Sequence, residues 1–574
     1  MTRATSAPPT TVWRLRSHDT DVAARLEESL GLFPTTAQVM AGRGIASVEE
    51  AERFLDPTLD ALHSPFAFTQ MEAAVERLLA AIAAGERIVV HGDYDVDGIT
   101  GTVVLVVALR ALGADVDYLV PHRIDDGYGL KPAGIDRAEQ MGAAVVVAVD
   151  CGVTALAAAD RARHHGIDLI IADHHEPGSE LPQALAVLNP RLPDSGYPEA
   201  DLAAVGVAFK LARGVLQRHP KGFRGTALSK LVALGTVADM VPLTGENRVF
   251  AHHGLRTLGD AVNPGLRALM ELAGVRVPVS EGDVGFRIAP RINAVGRLGH
   301  PRDAVEMFLT RDPAVAHRLA KKLHDTNNDR REIEAEVLEQ ALQQAPVEGA
   351  AVVVAAGAGW HRGVIGIVAS RLVETWGRPA IVLSVGEKSA WGSARSIPGF
   401  NIVGALAGVA ELLEEYGGHH QAAGLQIDSA KVEALREALA ATGGEELELA
   451  VQRSAEIQCD AELQLDADAL GLARELQRLA PFGIGNPRPR LLCRDLRVEA
   501  PPQILKEEHL KLRLAGGDRP IDALAWRRAD LAEGIASGDR IDVVAKLGIN
   551  HFRGRSEPQL ELVDIAPAGG AGAH

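Results

Sequence analysis

The chain has 574 residues, more than one hydrophobic core usually serves, and its 47% hydrophobic and 24% charged composition is that of a folded globular protein of three or four domains rather than a disordered one. With 59 Lys and Arg against 76 Asp and Glu the net charge is −17, which argues against a uniformly basic, polyanion-binding surface and leaves local basic strips, or carboxylates neutralised by bound cations, as routes to such a partner. No apolar leader and no run of about 18 apolar residues occurs, and the three cysteines lie far apart, so membrane spanning, secretion, a disulfide framework and a zinc ribbon are all unexpected and a cytoplasmic setting is expected.

Residues 1–70 read as a mobile tail and a small helical subdomain, in which Ser47 and Glu50 form a capping pattern ahead of an amphipathic turn. From 71 to 265, apolar runs alternate with helical stretches: strand 87–90, helix 98–112, a strand in "DVDYLVP", helix 132–141, strand 143–149, helix 153–165 and strand 168–171. Continuous apolar strands separated by helices predict a buried parallel sheet with right-handed crossovers, an α/β domain. Residues 266–346 read as a helical connector ending in a long charged helix too polar to be buried all round, hence a bridge between domains. Strand–helix–strand alternation resumes over 347–450 as a second, smaller α/β domain. Short alternating strands over 451–567 predict a small antiparallel barrel, with 568–574 a tail.

Four acidic or His-bearing segments follow apolar runs in the first α/β domain: "HGDYDVD" at 91–97, "DCG" at 150–152, "ADHH" at 172–175 and "ADM" at 238–240. The carboxyl ends of parallel strands share one edge, where ligands bind, so these segments can converge. Convergence would gather His91, Asp93, Asp95, Asp97, Asp150, His174, His175 and Asp239. Taken singly, Asp150 is equally a helix N-cap and the paired histidines a surface pair. Together they predict two divalent cations bridged by Asp150, the arrangement for in-line attack on phosphorus. Oxygen ligands mixed with imidazoles favour Mn²⁺, with Mg²⁺ able to serve.

His-x-x-x-Asp-x-Asp at 91–97, Asp150, "DHH" at 173–175 and "GTVADMVPL" at 235–243 resemble the four motifs of the DHH phosphoesterase superfamily. "RINAVGRLG" at 291–299, "GGHHQAAG" at 417–424 and "PFGIGNPRP" at 481–489 resemble its RecJ branch. That resemblance implies a multidomain α/β protein: a parallel-sheet DHH domain joined by a long helix to a smaller DHH-associated domain, then a C-terminal OB-fold. It implies His91, Asp95 and Asp150 as ligands of one cation and Asp97, Asp150, His174 and Asp239 of the other, with Asp93 outside the ligand set. His175 would donate a proton or stabilise an oxyanion. Arg291, Asn293 and Arg297 would lie near the scissile phosphate. The implied activity is 5′→3′ exonuclease action on single-stranded DNA, releasing mononucleotides in repair and recombination, with a helicase and a single-strand-binding protein as partners and a monomer sufficing.

Arg123, with Ser393 and Arg395 across an interdomain cleft, would grip a terminal phosphate. Gly417 and Gly418 would let the backbone approach a sugar-phosphate chain, with His419 and His420 beside them. Lys506, Lys511, Arg513, Arg527, Arg528, Lys546 and Arg553, with Trp526 and Phe552, would form a sequence-tolerant single-strand groove, against the plainer reading of a solvated face. Two other functions stay open at this point: a DHH hydrolase of short oligonucleotides or cyclic dinucleotides, and an inactive single-strand-binding scaffold.

Overall fold

The computed structural model describes residues 11–123, 125–219, 228–261, 263–344, 350–440, 447, 449–450, 456–465, 468–516 and 519–569. The outermost tails, 1–10 and 570–574, and the boundary drawn at 346/347 lie outside these described residues. The chain opens with β1 (Val12–Leu15) and three helices, Thr20–Leu30, Pro34–Gly42 and Val48–Leu55. Ser47 caps the third by accepting from the Glu50 N–H, while the Glu50 carboxylate turns back to the Ala46 N–H, one residue before the cap itself.

A five-stranded, all-parallel sheet follows, built from β2 (Arg87–His91), β3 (Val116–Leu119), β4 (Ala143–Val149), β5 (Asp168–Ala172) and β6 (Ala186–Leu188) in the order β3-β2-β4-β5-β6. Its strands are apolar on both faces because both are covered. Ile88, Val90, Val145, Val147 and Ile170 enter one core cluster, and the alternate residues Val89, Val146, Ala148, Leu169 and Ile171 enter another. Helix Val96–Ala111 is buried nearly throughout. Helix Leu156–His165 starts three residues later than its sequence suggests; a tight turn precedes it, in which the Ala155 N–H donates to Gly152 O at 2.9 Å and the Leu156 N–H to Thr154 O at 3.0 Å.

The bridging helix runs Pro313–Gln343, 31 residues or about 46 Å at 1.5 Å per residue. Ala320 and Leu323 pack into the core of the metal-side domain, and Val337 and Ala341 into that of the next, so its two ends serve two cores. The second α/β domain is a mixed sheet of β7 (Val353–Ala358), β8 (Ala380–Val385), β9 (Ser389–Arg395), β10 (Leu413–His419) and β11 (Ala422–Asp428), ordered β10-β11-β9-β8-β7, with only β7 and β8 parallel.

Beyond it come β12 (Glu456–Cys459), β13 (Ala461–Glu462), β14 (Leu491–Val498), β15 (Gln503–Leu505), β16 (His509–Ala515), β17 (Ile521–Ala525), β18 (Arg540–Phe552) and β19 (Arg555–Pro567). The last seven form one sheet that closes on itself where β14 pairs β16. The barrel is therefore present, although β18 and β19, at 13 residues each, are longer than the short strands its sequence suggests. β1 pairs with β12, and Leu26, Val39 and Met40 of the leading helices share a single core cluster with Leu472, Leu512 and Leu560 of the barrel domain. The leading segment thus packs on the far end of the chain, a contact that no local pattern announces.

Candidate metal centre and phosphate-binding cleft

The acidic segments meet at the carboxyl edge of the parallel sheet. Asp95, not Asp150, is the helix cap: its Oδ1 accepts from the Gly98 N–H and opens helix Val96–Ala111. A Cβ at Gly98 would lie 2.6 Å from the Asp93 N, so only glycine lets the acidic loop fold back on its helix. Asp97 is buried and fixed by two N–H donors at the start of helix Ala204–Arg218, Ala204 to Oδ2 and Val205 to Oδ1, each at 2.9 Å. Asp150 follows β4 with a left-handed φ of 62°, and Asp239 ends helix Ser229–Ala238.

Around His174 Nε2 stand Asp150 Oδ1 at 3.4 Å, Asp239 Oδ2 at 3.6 Å and Asp97 Oδ2 at 4.0 Å. Three groups have ligand atoms within 4.8 Å of one another: Asp97, His174 and Asp239; Asp93, Asp95 and Asp150; and Asp150, His174 and His175. The structure therefore brings together Asp97, Asp150, His174 and Asp239 as expected from the sequence. In the other group Asp93 stands where His91 was expected. His91 falls on the same strand face as Val89, above Cys151, its Nδ1 4.0 Å from that sulfur and its Nε2 packed over Gly134.

These residues fit divalent cations. Asp93 Oδ1, Asp150 Oδ1 and both nitrogens of His174 are buried without a hydrogen-bond partner, a rare condition unless something else binds them. Among the described residues no Lys or Arg pairs with any of the five carboxylates. Burial, and then the nearby Asp95 charge, push Asp97 up to about 7, and burial with Asp97 pushes Asp239 up to about 9. Asp93 and Asp150 are raised well above the carboxylate range by the same causes. Burial, and then His175, push His174 down to about 3, leaving a neutral imidazole suited to ligation.

His175 is held differently. Its Nδ1 lies 2.8 Å from Asp173 Oδ1 and its Nε2 2.8 Å from the Tyr128 hydroxyl. Asp173 also accepts from the backbone N–H groups of His174 and Val153 and so orients the whole turn. Burial acts to lower the His175 pKa, but Asp173 and the surrounding carboxylates carry it above the usual value. Asp173 and Tyr128 are organising residues that the ligand pattern alone passes over; "DHH" and "DGYG" were their only sequence signals.

A cleft of about 740 Å³ between the two α/β domains is lined by Arg123, Tyr128, Arg362, Ser393, Arg395 and His419. Gly417 and Gly418, on β10, line it too, so six of the seven residues read from the sequence for this cleft share one cavity, and His420 does not line it. Arg395 Nη1 donates to Ser393 Oγ at 3.0 Å. Helix Ile365–Trp376 starts at the cavity, which Ile365 and Gly366 line, and has no side-chain cap. Arg123 and Arg395 have no carboxylate partner among the described residues, and burial followed by the Arg123 charge lowers the Arg395 pKa. A smaller pocket of about 190 Å³ joins Asp93 and Asp95 to Arg123, Tyr128, Asn293 and Arg297. Asn293 Oδ1 accepts from the Val96 N–H, and Arg297 Nη1 donates to Gly363 O, tying the domains together. Arg291 is not brought to this pocket: its Nε donates to His324 on the bridging helix at 3.1 Å.

On the barrel, Lys511 and Arg513 are paired with Asp522, Arg528 with Asp530 and Lys546 with Glu561. Trp526 and Phe552 are 54% and 63% exposed, the latter under the Arg553 guanidinium.

Comparison with known proteins accounts for each layer. The DHH family N-terminal domain matches residues 87–236, the DHHA1 domain 349–443 and the RecJ OB domain 459–564. The single-stranded-DNA-specific exonuclease RecJ of Bacillus subtilis is 36% identical over 96% of this chain and 70% of its own length. The Escherichia coli protein of the same name is 35% identical over 96% of this chain and 99% of its own. The chain belongs to the RecJ family. A crystal structure of RecJ from Thermus thermophilus in complex with Mn²⁺ superposes with a TM-score of 0.81 at 32% identity, covering 97% of this chain and 79% of that one. RecJ from the same organism is also known in complex with Mg²⁺. Membership in the RecJ family makes this chain a metal-dependent hydrolase by kinship, and its donor set agrees.

Proposed function

We propose that this chain degrades single-stranded DNA from the 5′ end, releasing 5′-mononucleotides with two divalent cations. The observation that carries the reading is continuity: Arg123 and Tyr128 line both the interdomain cleft and the pocket that holds Asp93 and Asp95. A terminal phosphate gripped by Arg123, Ser393 and Arg395 would set the adjoining phosphodiester against the carboxylates, and a pocket that accepts only an end gives the polarity.

Asp97, Asp150, His174 and Asp239 would hold one cation and Asp93, Asp95 and Asp150 the other, with Mn²⁺ favoured by the imidazole. When bound, such ions polarise phosphoryl oxygens and lower the pKa of water. The chain's own groups do the rest. Asp173 fixes the His175 ring, whose Nε2 can leave the Tyr128 hydroxyl and donate toward a departing oxygen. Arg123 and Arg297 offset charge that develops on the phosphate. The exposed Trp526 and Phe552 supply stacking platforms along the barrel, and Lys506, Arg527 and Arg553 are among its cations with no carboxylate partner among the described residues. A strand so held arrives unpaired, so a helicase and a single-strand-binding protein are the partners we assign. Free, buried cysteines fit the reducing cytoplasm. No described helix is long and apolar enough to cross a membrane.

The test is digestion of single strands blocked at either end, with and without Mn²⁺. The 3′-blocked strand should vanish into mononucleotides and the 5′-blocked strand should persist, and neither should be cut when divalent ions are chelated. Products shortened from the 3′ end would overturn the reading.

A further inference from the structure

The segment "PFGIGNPRP" takes no part in the chemistry just described, yet it is packed directly behind a metal ligand. Asp239 is followed by Met240, which is 67% exposed and holds a left-handed φ of 62°, a conformation that a side chain of this kind seldom adopts. Three residues later the Leu243 N–H donates to Ile484 O at 2.7 Å. Gly483 lies against the Leu243 side chain, and Gly485, at φ 75°, against Thr244 and Pro242, where a Cβ would come within 3.0 and 3.2 Å.

The next turn of chain carries the anchor. Arg248, in helix Gly245–Leu258, is buried with no carboxylate partner among the described residues. Its guanidinium donates instead to the carbonyls of Phe54, Leu479, Ala480 and Pro481, and stacks on the Phe54 ring at 3.7 Å. From the other side Arg43 donates to Asn486 Oδ1 and Pro487 O, and Asn486 Nδ2 to Leu479 O and Pro481 O. The loop 479–487, which leads into the barrel, is thereby fixed to the short link between Asp239 and helix Gly245–Leu258. Among the described residues, the Phe54 carbonyl on the same arginine and the His63 N–H, which donates to Glu246 at 2.6 Å, also hold the start of that helix from outside its own domain.

We propose that loop 479–487 is a positioning clamp for Asp239: seated on Arg248 and Leu243, it keeps Met240 left-handed and so sets the affinity of the Asp97, His174 and Asp239 group for its cation. Docking of the barrel and readiness of the metal centre are then one event. The inference rests on the metal reading above, and the two can fail separately.

The experiment is Mn²⁺ titration of the full chain, followed by the electron paramagnetic resonance of free Mn²⁺, alongside circular dichroism to check folding. Wild type should take up two ions; uptake of none would sink the metal reading itself. Gly485→Ala, the mild perturbation, and Arg248→Ala, the severe one, should each weaken one ion about tenfold and the other less than twofold, as loss of support to a ligand does. Met240→Gly removes the conformational penalty, so Gly485→Ala combined with Met240→Gly should recover wild-type uptake within twofold. At low Mn²⁺, Gly485→Ala should lower kcat and leave KM for the strand unchanged, and raising Mn²⁺ should restore kcat. Folded Gly485→Ala protein with both affinities unchanged, both ions weakened alike, or no recovery with Met240→Gly would each overturn the clamp.

Discussion

At the scale of single residues, five carboxylates, three of them buried and two partly so, share one edge with no Lys or Arg partner among the described residues, and their protonation must answer to pH when cations are removed. Asp97 and Asp239 have folded-state values of about 7 and about 9 against an ordinary 3.8. A raised value means that the folded chain holds the proton more tightly than the unfolded one. The stabilising contribution is therefore complete below about pH 4 and is lost as pH rises through 7 and then 9. Chelator-treated protein should lose on the order of 5 °C or more in Tm between pH 5 and pH 9, and Mn²⁺ should abolish the slope. A flat Tm in chelator would show that burial and the neighbouring charges do not raise these carboxylates. Arg123 acts at the same scale: without it, preference for a 5′-phosphorylated over a 5′-hydroxyl strand should fall about 10- to 100-fold, the worth of a charge-assisted hydrogen bond. Paired rate measurements on the two substrates check this, and an unchanged ratio would remove Arg123 from the end pocket.

At the scale of elements, the strand ends were legible because burial on both faces writes a continuous apolar run, and β4 occupies the residues its pattern predicts, 143–149. What the runs do not write is direction. Period-two alternation puts His91 with Val89, beneath the sheet's second core cluster, and leaves the turn residue Asp93 to join Asp95 and Asp150; the motif spacing alone pointed to His91. Capping is ambiguous in sequence in the same way, since a polar residue after a strand looks the same whether it caps a helix, as Asp95 does, or stands among other carboxylates and a histidine, as Asp150 does. That double duty of Asp95 separates two variants. Asp95→Asn keeps an acceptor for the Gly98 N–H and should hold wild-type Tm while losing activity. Asp95→Ala loses the cap as well and should cost about 1 kcal/mol more in unfolding free energy. Equal stability of the two in denaturant titrations would deny the cap.

At the scale of the molecule, the leading segment and the barrel are one unit although more than 400 residues separate them in sequence. Trp13 is buried against Cys459, Leu492 and Val544, and its indole N–H donates to Asp564 Oδ2 at 2.8 Å. Four residues of parallel pairing between β1 and β12 would be marginal alone, so the apolar contact must supply most of the hold. Trp13→Ala removes that ring and strips Asp564 of its donor, at a cost of about 3–5 kcal/mol for the ring alone. If the unit is shared, the loss appears far from the substitution: amide exchange should quicken through β12, β14 and β18, while β2 and β4, whose cores the substitution does not reach, keep their protection. Faster exchange confined to residues 12–30, with the barrel strands as slow as before, would instead make the leading segment an appendage. The distinction matters for the metal centre, because loop 479–487 is carried by this unit: a barrel loosened at its far side by Trp13→Ala reaches Asp239 through the contacts of that loop with Arg248 and with Pro242, Leu243 and Thr244.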